Sequence, residues 1–140
     1  MESMNIKTLS SAATIPTRGD EFAAGYDLYC SQKVTVPAWS RSLVKTDIAL
    51  EIPTGFYGRI ASRSGLGVKG FDIGAGVIDS SYRGEIKVVF INSTCEDFVI
   101  EQGSRCAQIV FEKHYNFEFV KSEELSKSVR GESGFASTGK

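Results

Sequence analysis

A chain of 140 residues is long enough for one domain and too short for two comfortable ones. Sixteen Lys plus Arg against seventeen Asp plus Glu, with one His, argue against a basic nucleic-acid-binding surface and against a polyacidic tail. Apolar runs are as short as Val88-Val-Phe-Ile91, far from the ~18–20 residues of a membrane span, and the start lacks the apolar core of a secretory signal. Cys30, Cys95 and Cys106 are odd in number and have no CxxC spacing. Zinc and a disulfide framework are therefore disfavoured, and an intracellular location, cytoplasmic or nuclear, is expected. Glycine carries more information. Eight of the fourteen glycines fall between Gly55 and Gly84 and three more lie in the last ten residues. Neither cluster has a period, so collagen and low-complexity readings fail, and both clusters are where chemistry is expected.

In chain order, strands are predicted at Lys33–Val36, Leu43–Leu50, Phe56–Ala61, Glu85–Asn92, Phe98–Ile100 and Cys106–Tyr115. These runs are rich in Val, Ile, Phe and Tyr and bounded by Gly, Pro, Ser and Asp. A short helix is predicted within 62–69, with Ser62 as an N-cap despite two glycines. No window of a dozen residues sustains helical periodicity, so the fold class is all-β: a sandwich, jelly roll or barrel. Residues 1–120 form the β domain. The last twenty hold four apolar residues and seven charges, too little burial to offset ordering, so 121–140 is expected to be a mobile arm.

Several residues are candidates for chemistry. Ser64 and Gly65 at a turn, beside Arg63, suit a phosphate, although Arg-Ser-Gly is common in loops. Gly76-Val77-Ile78-Asp79 between two strands reads as a hairpin whose backbone can bond a flat ligand edge, with Asp79 as a base. An Asx-turn is the plainer use of that Asp. Tyr82 suits a ligand ring or a core position. Asp27 and Gln108 are polar positions in strand-like runs, where facing solvent is usual. His114 reads as a surface or packing residue. In the arm, Arg130, Phe135 and the hydroxyls of Ser137 and Thr138 are the parts of an anion-and-base clamp, although a solvated terminus is the plainer composition.

Five segments change that balance when taken in order. Ala24-Gly-Tyr-Asp-Leu28, Gly58-Arg-Ile-Ala-Ser-Arg-Ser-Gly-Leu66, Gly76-Val-Ile-Asp-Ser-Ser-Tyr-Arg-Gly84, Gly103-Ser-Arg-Cys-Ala-Gln-Ile109 and Arg130-Gly-Glu-Ser-Gly-Phe-Ala-Ser-Thr-Gly139 resemble the five motifs of the trimeric dUTPase family. The resemblance implies a jelly-roll homotrimer with active sites shared between subunits. It also implies hydrolysis of dUTP to dUMP and pyrophosphate, with Mg²⁺ chelated by the triphosphate. By that likeness Asp79 is the base. Gly76, Val77 and Ile78 read uracil, Tyr82 packs under the deoxyribose, and Arg63, Ser64 and Gly65 hold phosphates. Gln108 contacts the chain near the scissile bond, and Asp27 lies in the metal's outer shell without direct ligation. Arg130 pairs with the γ-phosphate, Phe135 stacks on uracil, and Ala136, Ser137 and Thr138 complete the arm's contacts.

The chain departs from the family pattern in places. Ser62 stands where Pro is usual, Ser80-Ser81 where an acidic pair is common, Ser104 where Asp is common, and Cys106 in an aliphatic position. Ser133 and Ala136 replace frequent glycines, which predicts an arm that is harder to order. Lys87 stands where Gly is common, as a phosphate-proximal cation or a solvent-facing one. The related dCTP deaminases carry a Glu on the strand after the hairpin, where this chain has Val89. A nucleotide-sensing module that had lost turnover is the other rival, against which stand Asp79, Tyr82, Arg130 and Phe135.

Overall fold

The computed structural model describes residues 2–136. Ten strands and one short helix follow one another: β1 (Asn5–Thr8), β2 (Gly25–Tyr29), β3 (Val34–Val36), β4 (Ser40–Glu51), β5 (Phe56–Ala61), α1 (Ser64–Val68), β6 (Phe71–Gly74), β7 (Val77–Ile78), β8 (Glu85–Asn92), β9 (Phe98–Ile100) and β10 (Arg105–Lys113). They form two antiparallel four-stranded sheets, ordered β1-β4-β8-β6 and β2-β10-β5-β7, and a two-stranded β3-β9 pair. The result is an all-β, jelly-roll-like sandwich. No helix among the described residues is long and apolar enough to cross a membrane.

β8 shows why these residues form a sandwich. Ile86, Val88, Phe90 and Asn92 point inward and are buried, while Glu85, Lys87, Val89 and Ile91 alternate outward. From the facing sheet, Leu28, Ile60, Ala107 and Ile109 fill the same core. Phe71, Phe90 and Phe98 close one end, with ring centroids 4.3–5.7 Å apart. The one large polar group among them is satisfied: Asn92 Nδ2 donates to the carbonyls of Val36 (3.1 Å) and Glu96 (2.8 Å), and its Oδ1 accepts from Thr94. Cys30 and Cys106 lie in this core as free thiols, and burial pushes Cys106 up to about 12.

Three expectations need correction. β1, β2 and β6 are strands that periodicity did not predict, because most of their residues are only partly buried and show little alternation between the two faces. The N-cap of α1 is Arg63 with no side-chain cap bond, not Ser62, whose carbonyl instead accepts from Gln108 Nε2 at 3.1 Å. The Val77-Ile78 segment does not pair within its own hairpin. β6 and β8 pair with each other, and β7 leaves their connection to join the other sheet beside β5, with Gly58 opposite Ile78 and Arg59 opposite Val77. Gly76 makes that crossing possible, since a Cβ there would meet the Ile60 carbonyl oxygen at 2.5 Å.

Candidate active site

Sheet pairing brings three of the five motifs to one place. Gln108 lies opposite Asp27 on β2 and opposite Ala61 on β5, so β10 is the strand that joins them. Its amide donates to the Ser62 carbonyl, which holds the entry to the Arg63-Ser64-Gly65 turn. Ser64 and Gly65 are exposed there, and nothing lies within 4 Å of where a Gly65 Cβ would stand. Asp27 is half-buried, with Arg63 Nε 3.7 Å from one carboxylate oxygen and Arg105 Nη1 3.7 Å from the other. One carboxylate between two guanidiniums leaves a net positive surface, a match for an anion. Facing solvent is therefore not what Asp27 and Gln108 do.

The third motif forms a second locus. Tyr57, Val77, Asp79, Ser80 and His114 line an open concavity of about 390 Å³. Asp79 is exposed, and its carbonyl accepts from the Tyr82 amide at 3.1 Å in a tight turn. Tyr82 is fixed by its hydroxyl, which donates to the Glu85 carbonyl at 2.7 Å, and its ring passes over Gly84, where a Cβ would meet Tyr82 Oη at 2.6 Å. The wall behind Asp79 is tied together by hydrogen bonds. Glu112 Oε1 accepts from Tyr57 Oη at 2.7 Å and from Arg59 Nε at 2.8 Å, and the His114 ring meets the edge of Tyr57. The Arg59 bond, and then the Tyr57 bond, hold the Glu112 carboxyl below its usual range, while the same Glu112 contact raises the Tyr57 phenol.

These two loci stand apart within one chain. Asp79 follows β7 at the Tyr57 end of β5, whereas Arg63 follows the Ala61 end. Six positions of chain, from Tyr57 to Arg63, separate them, at most roughly 20 Å at ~3.3 Å per residue. Lys87 lies on the outer face of the other sheet, opposite Lys45. Arg130 is exposed, and its guanidinium turns back to the Ser133 carbonyl. Phe135 is fully exposed, and both it and Ala136 have positive φ, 49° and 62°. Ser137 and Thr138 lie outside the described residues. Sequence reasoning passed over Arg105, Tyr57 and Glu112, because strand register, not local pattern, brings them in.

The dUTPase family model matches residues 11–139. The chain belongs to the dUTPase family. Among its relatives, the deoxyuridine 5'-triphosphate nucleotidohydrolase of Debaryomyces hansenii is 49% identical, covering 99% of this chain and 89% of its own. That of Saccharomyces cerevisiae is 49% identical, over 97% of this chain and 94% of its own. Among solved structures, the dUTPase of Staphylococcus bacteriophage 80alpha with dUPNHPP has a TM-score of 0.90 at 30% identity, covering 98% of both chains. A dUTPase from phage phi11 of S. aureus, described with a structural Mg(II) ion, has a TM-score of 0.82 at 26% identity, covering 88% of this chain and 98% of its own.

Proposed function

We infer that the chain hydrolyses dUTP to dUMP and pyrophosphate, which supplies the precursor of dTMP and keeps uracil out of DNA. It is a dUTP diphosphatase. The observation that carries this is the match of nearly the whole chain to relatives with that activity.

Asp79 takes a proton from water as its oxygen attacks the α-phosphorus. A new P–O bond forms, the bond from the α-phosphorus to the bridging oxygen breaks, and pyrophosphate leaves with that electron pair. Backbone groups of Gly76, Val77 and Ile78 read the uracil edge. Tyr82, held by Glu85, packs under the deoxyribose and leaves no room for a ribose 2′-hydroxyl. Arg63, Ser64 and Gly65 hold phosphates, with Gln108 near the scissile bond. The net positive surface at this turn suits the triphosphate and not a directly bound cation, so an ion would be carried by the triphosphate, with Asp27 in its outer shell through water. Mg²⁺ bound by the triphosphate would neutralise charge on the leaving pyrophosphate.

The distance between the two loci supports sharing of sites between chains. In a homotrimer, one chain supplies Asp79 and a neighbour supplies Asp27, Arg63 and Gln108. The third supplies the arm of residues 121–140, with Arg130 on the γ-phosphate, Phe135 stacked on uracil, and Ala136, Ser137 and Thr138 beside it. Base–aromatic stacking of roughly 1–3 kcal/mol is enough to order a loose arm while substrate is present. Lys87 reaches a nucleotide only from such an assembly. Free Cys30, Cys95 and Cys106 suit a reducing intracellular location.

Pyrophosphate release measured with dUTP, dTTP, dCTP and UTP tests the reading. Turnover of dUTP alone is expected, and ammonia released from dCTP would overturn it. Asp79→Asn is expected to lose about 10²–10⁴-fold in kcat while still binding dUTP.

A further inference from the structure

We propose that Arg83 is a positioning residue for Asp79: its guanidinium gathers carbonyls of the turn that carries Asp79 and ties that turn to the end of β4 through Glu51. This rests on the reading of Asp79 as the base in dUTP hydrolysis.

The Asp79 side chain has nothing of its own to hold it. Among the described residues, its carboxylate accepts no hydrogen bond and has no ion pair, and its backbone carbonyl is engaged by the Tyr82 amide at 3.1 Å. Where the carboxylate points is therefore set by the backbone of the turn. Ser80 and Ser81 stand at the centre of that turn, small and not buried, so packing does little to fix it. A reacting group misplaced by about 1 Å can cost roughly 10²-fold in rate, so this backbone has to be held for the base to work.

Arg83 holds it from two directions. Its Nη1 donates to the Ser80 carbonyl at 2.6 Å and to the Tyr82 carbonyl at 3.2 Å. Its Nη2 stands 3.6 Å from Glu51 Oε1, while Glu51 Oε2 accepts from Asn5 Nδ2, its partner on β1, at 2.8 Å. Arg83 lies just before β8, and the register that sets Ala49 opposite Glu85 carries Glu51 across from it, which is why the pair meets. The turn is thus tied to β4 in one sheet, while β7, which leads into it, pairs with β5 in the other. A planar fork with several donors suits this task, since it reaches two carbonyls and a carboxylate at once. Both charged side chains are about half exposed, so carbonyls freed by losing Arg83 turn to water and the loss is one of geometry more than of stability.

The test measures pyrophosphate release from dUTP by full-length wild type, Arg83→Ala, Glu51→Gln and Asp79→Asn, and by Arg83→Ala and Glu51→Gln each combined with Asp79→Asn. Arg83→Ala is expected to lose about ten- to a hundredfold in kcat. Its KM should stay within about threefold, because Gly76, Val77 and Ile78 precede the turn. Glu51→Gln keeps the guanidinium and loosens its anchor, so a loss of about two- to fivefold in kcat is expected. The combined variants decide whether these residues act through Asp79. If they do, neither substitution costs further rate once the Asp79 carboxylate is gone. Losses that multiply would overturn the proposal, as would an unchanged kcat in Arg83→Ala or a KM that rises as much as kcat falls. If Arg83→Ala does not fold, Glu51→Gln decides in its place: an unchanged kcat, or a loss that persists beside Asp79→Asn, overturns the proposal. Failure of the underlying reading shows separately, as wild type that releases no pyrophosphate or as Asp79→Asn at the wild-type rate.

Discussion

Asp47 carries more structure than its place in a strand suggests. It has φ 56° at the irregularity of β4 between Lys45 and Ala49, a conformation that Asp and Asn tolerate better than most side chains. Its carboxylate accepts from Ser10 and, at 2.9 Å, from Ser31, while its amide donates to Glu85 at 3.0 Å. The Ser10 bond, then the Ser31 bond, hold its pKa below the usual carboxylate value. A depressed native pKa adds stability that is present above the unfolded value. That stability is lost as the pH falls from there through the native one. Asp47→Asn keeps the backbone preference and removes the titration. Urea unfolding between pH 7 and pH 2 should show it less stable than wild type at neutral pH, with a shallower loss in acid. Parallel curves would contradict this. Asn92 is the other residue whose worth is local, because Asn92→Ala removes the side-chain donor to the Val36 carbonyl and the acceptor of the Thr94 amide, while the Glu96 carbonyl keeps its bond from Thr94 Oγ1. The substitution should cost about 1–3 kcal/mol per unsatisfied group in denaturant melts.

At the scale of elements, the proposed function puts the most weight on β7 and on the arm. Pairing of β7 with β5 depends on the missing Cβ at Gly76. Gly76→Ala pushes the two backbones apart, at about 1–3 kcal/mol as for other overpacking. Activity should fall more than global stability, and an unchanged KM for dUTP would argue against this. In the arm, Phe135 and Ala136 both take positive φ, which costs a residue with a Cβ roughly 1–2 kcal/mol. Ala136→Gly should therefore ease closure and lower KM several-fold, read from steady-state pyrophosphate release. Legibility differed between elements for the same kind of reason. β8 was readable to the residue because its alternation is unbroken, and β5 because turn residues bound it. β1, β2 and β6 show little alternation to read, and each depends on a longer partner in the sheet.

The whole molecule poses the question of how two loci at opposite ends of β5 serve one nucleotide. If chains share sites, Asp79→Asn and Arg63→Ala variants complement each other when refolded together. Each variant alone has no intact site. With random 1:1 assembly, about a quarter of the sites in a symmetric trimer draw an intact hairpin and an intact phosphate turn from different chains. Recovery near that fraction supports sharing, and the absence of any gain on mixing would place each site within one chain.

Length, near-neutral charge and scattered apolar runs limit the chain to one β domain, and the glycine clusters with their Asp, Arg, Tyr and Ser hold the residues of the proposed chemistry. Those features are local and can be read without neighbours. Tertiary structure alone decided that Asp27, Gln108 and Arg63 meet across β10, that a break in register between Arg105 and Ala107 sets Arg105 beside them, and that β7 leaves its own hairpin for the other sheet. Each depends on register between strands distant in sequence. One inserted residue reverses which face a side chain takes, and no local pattern records that change.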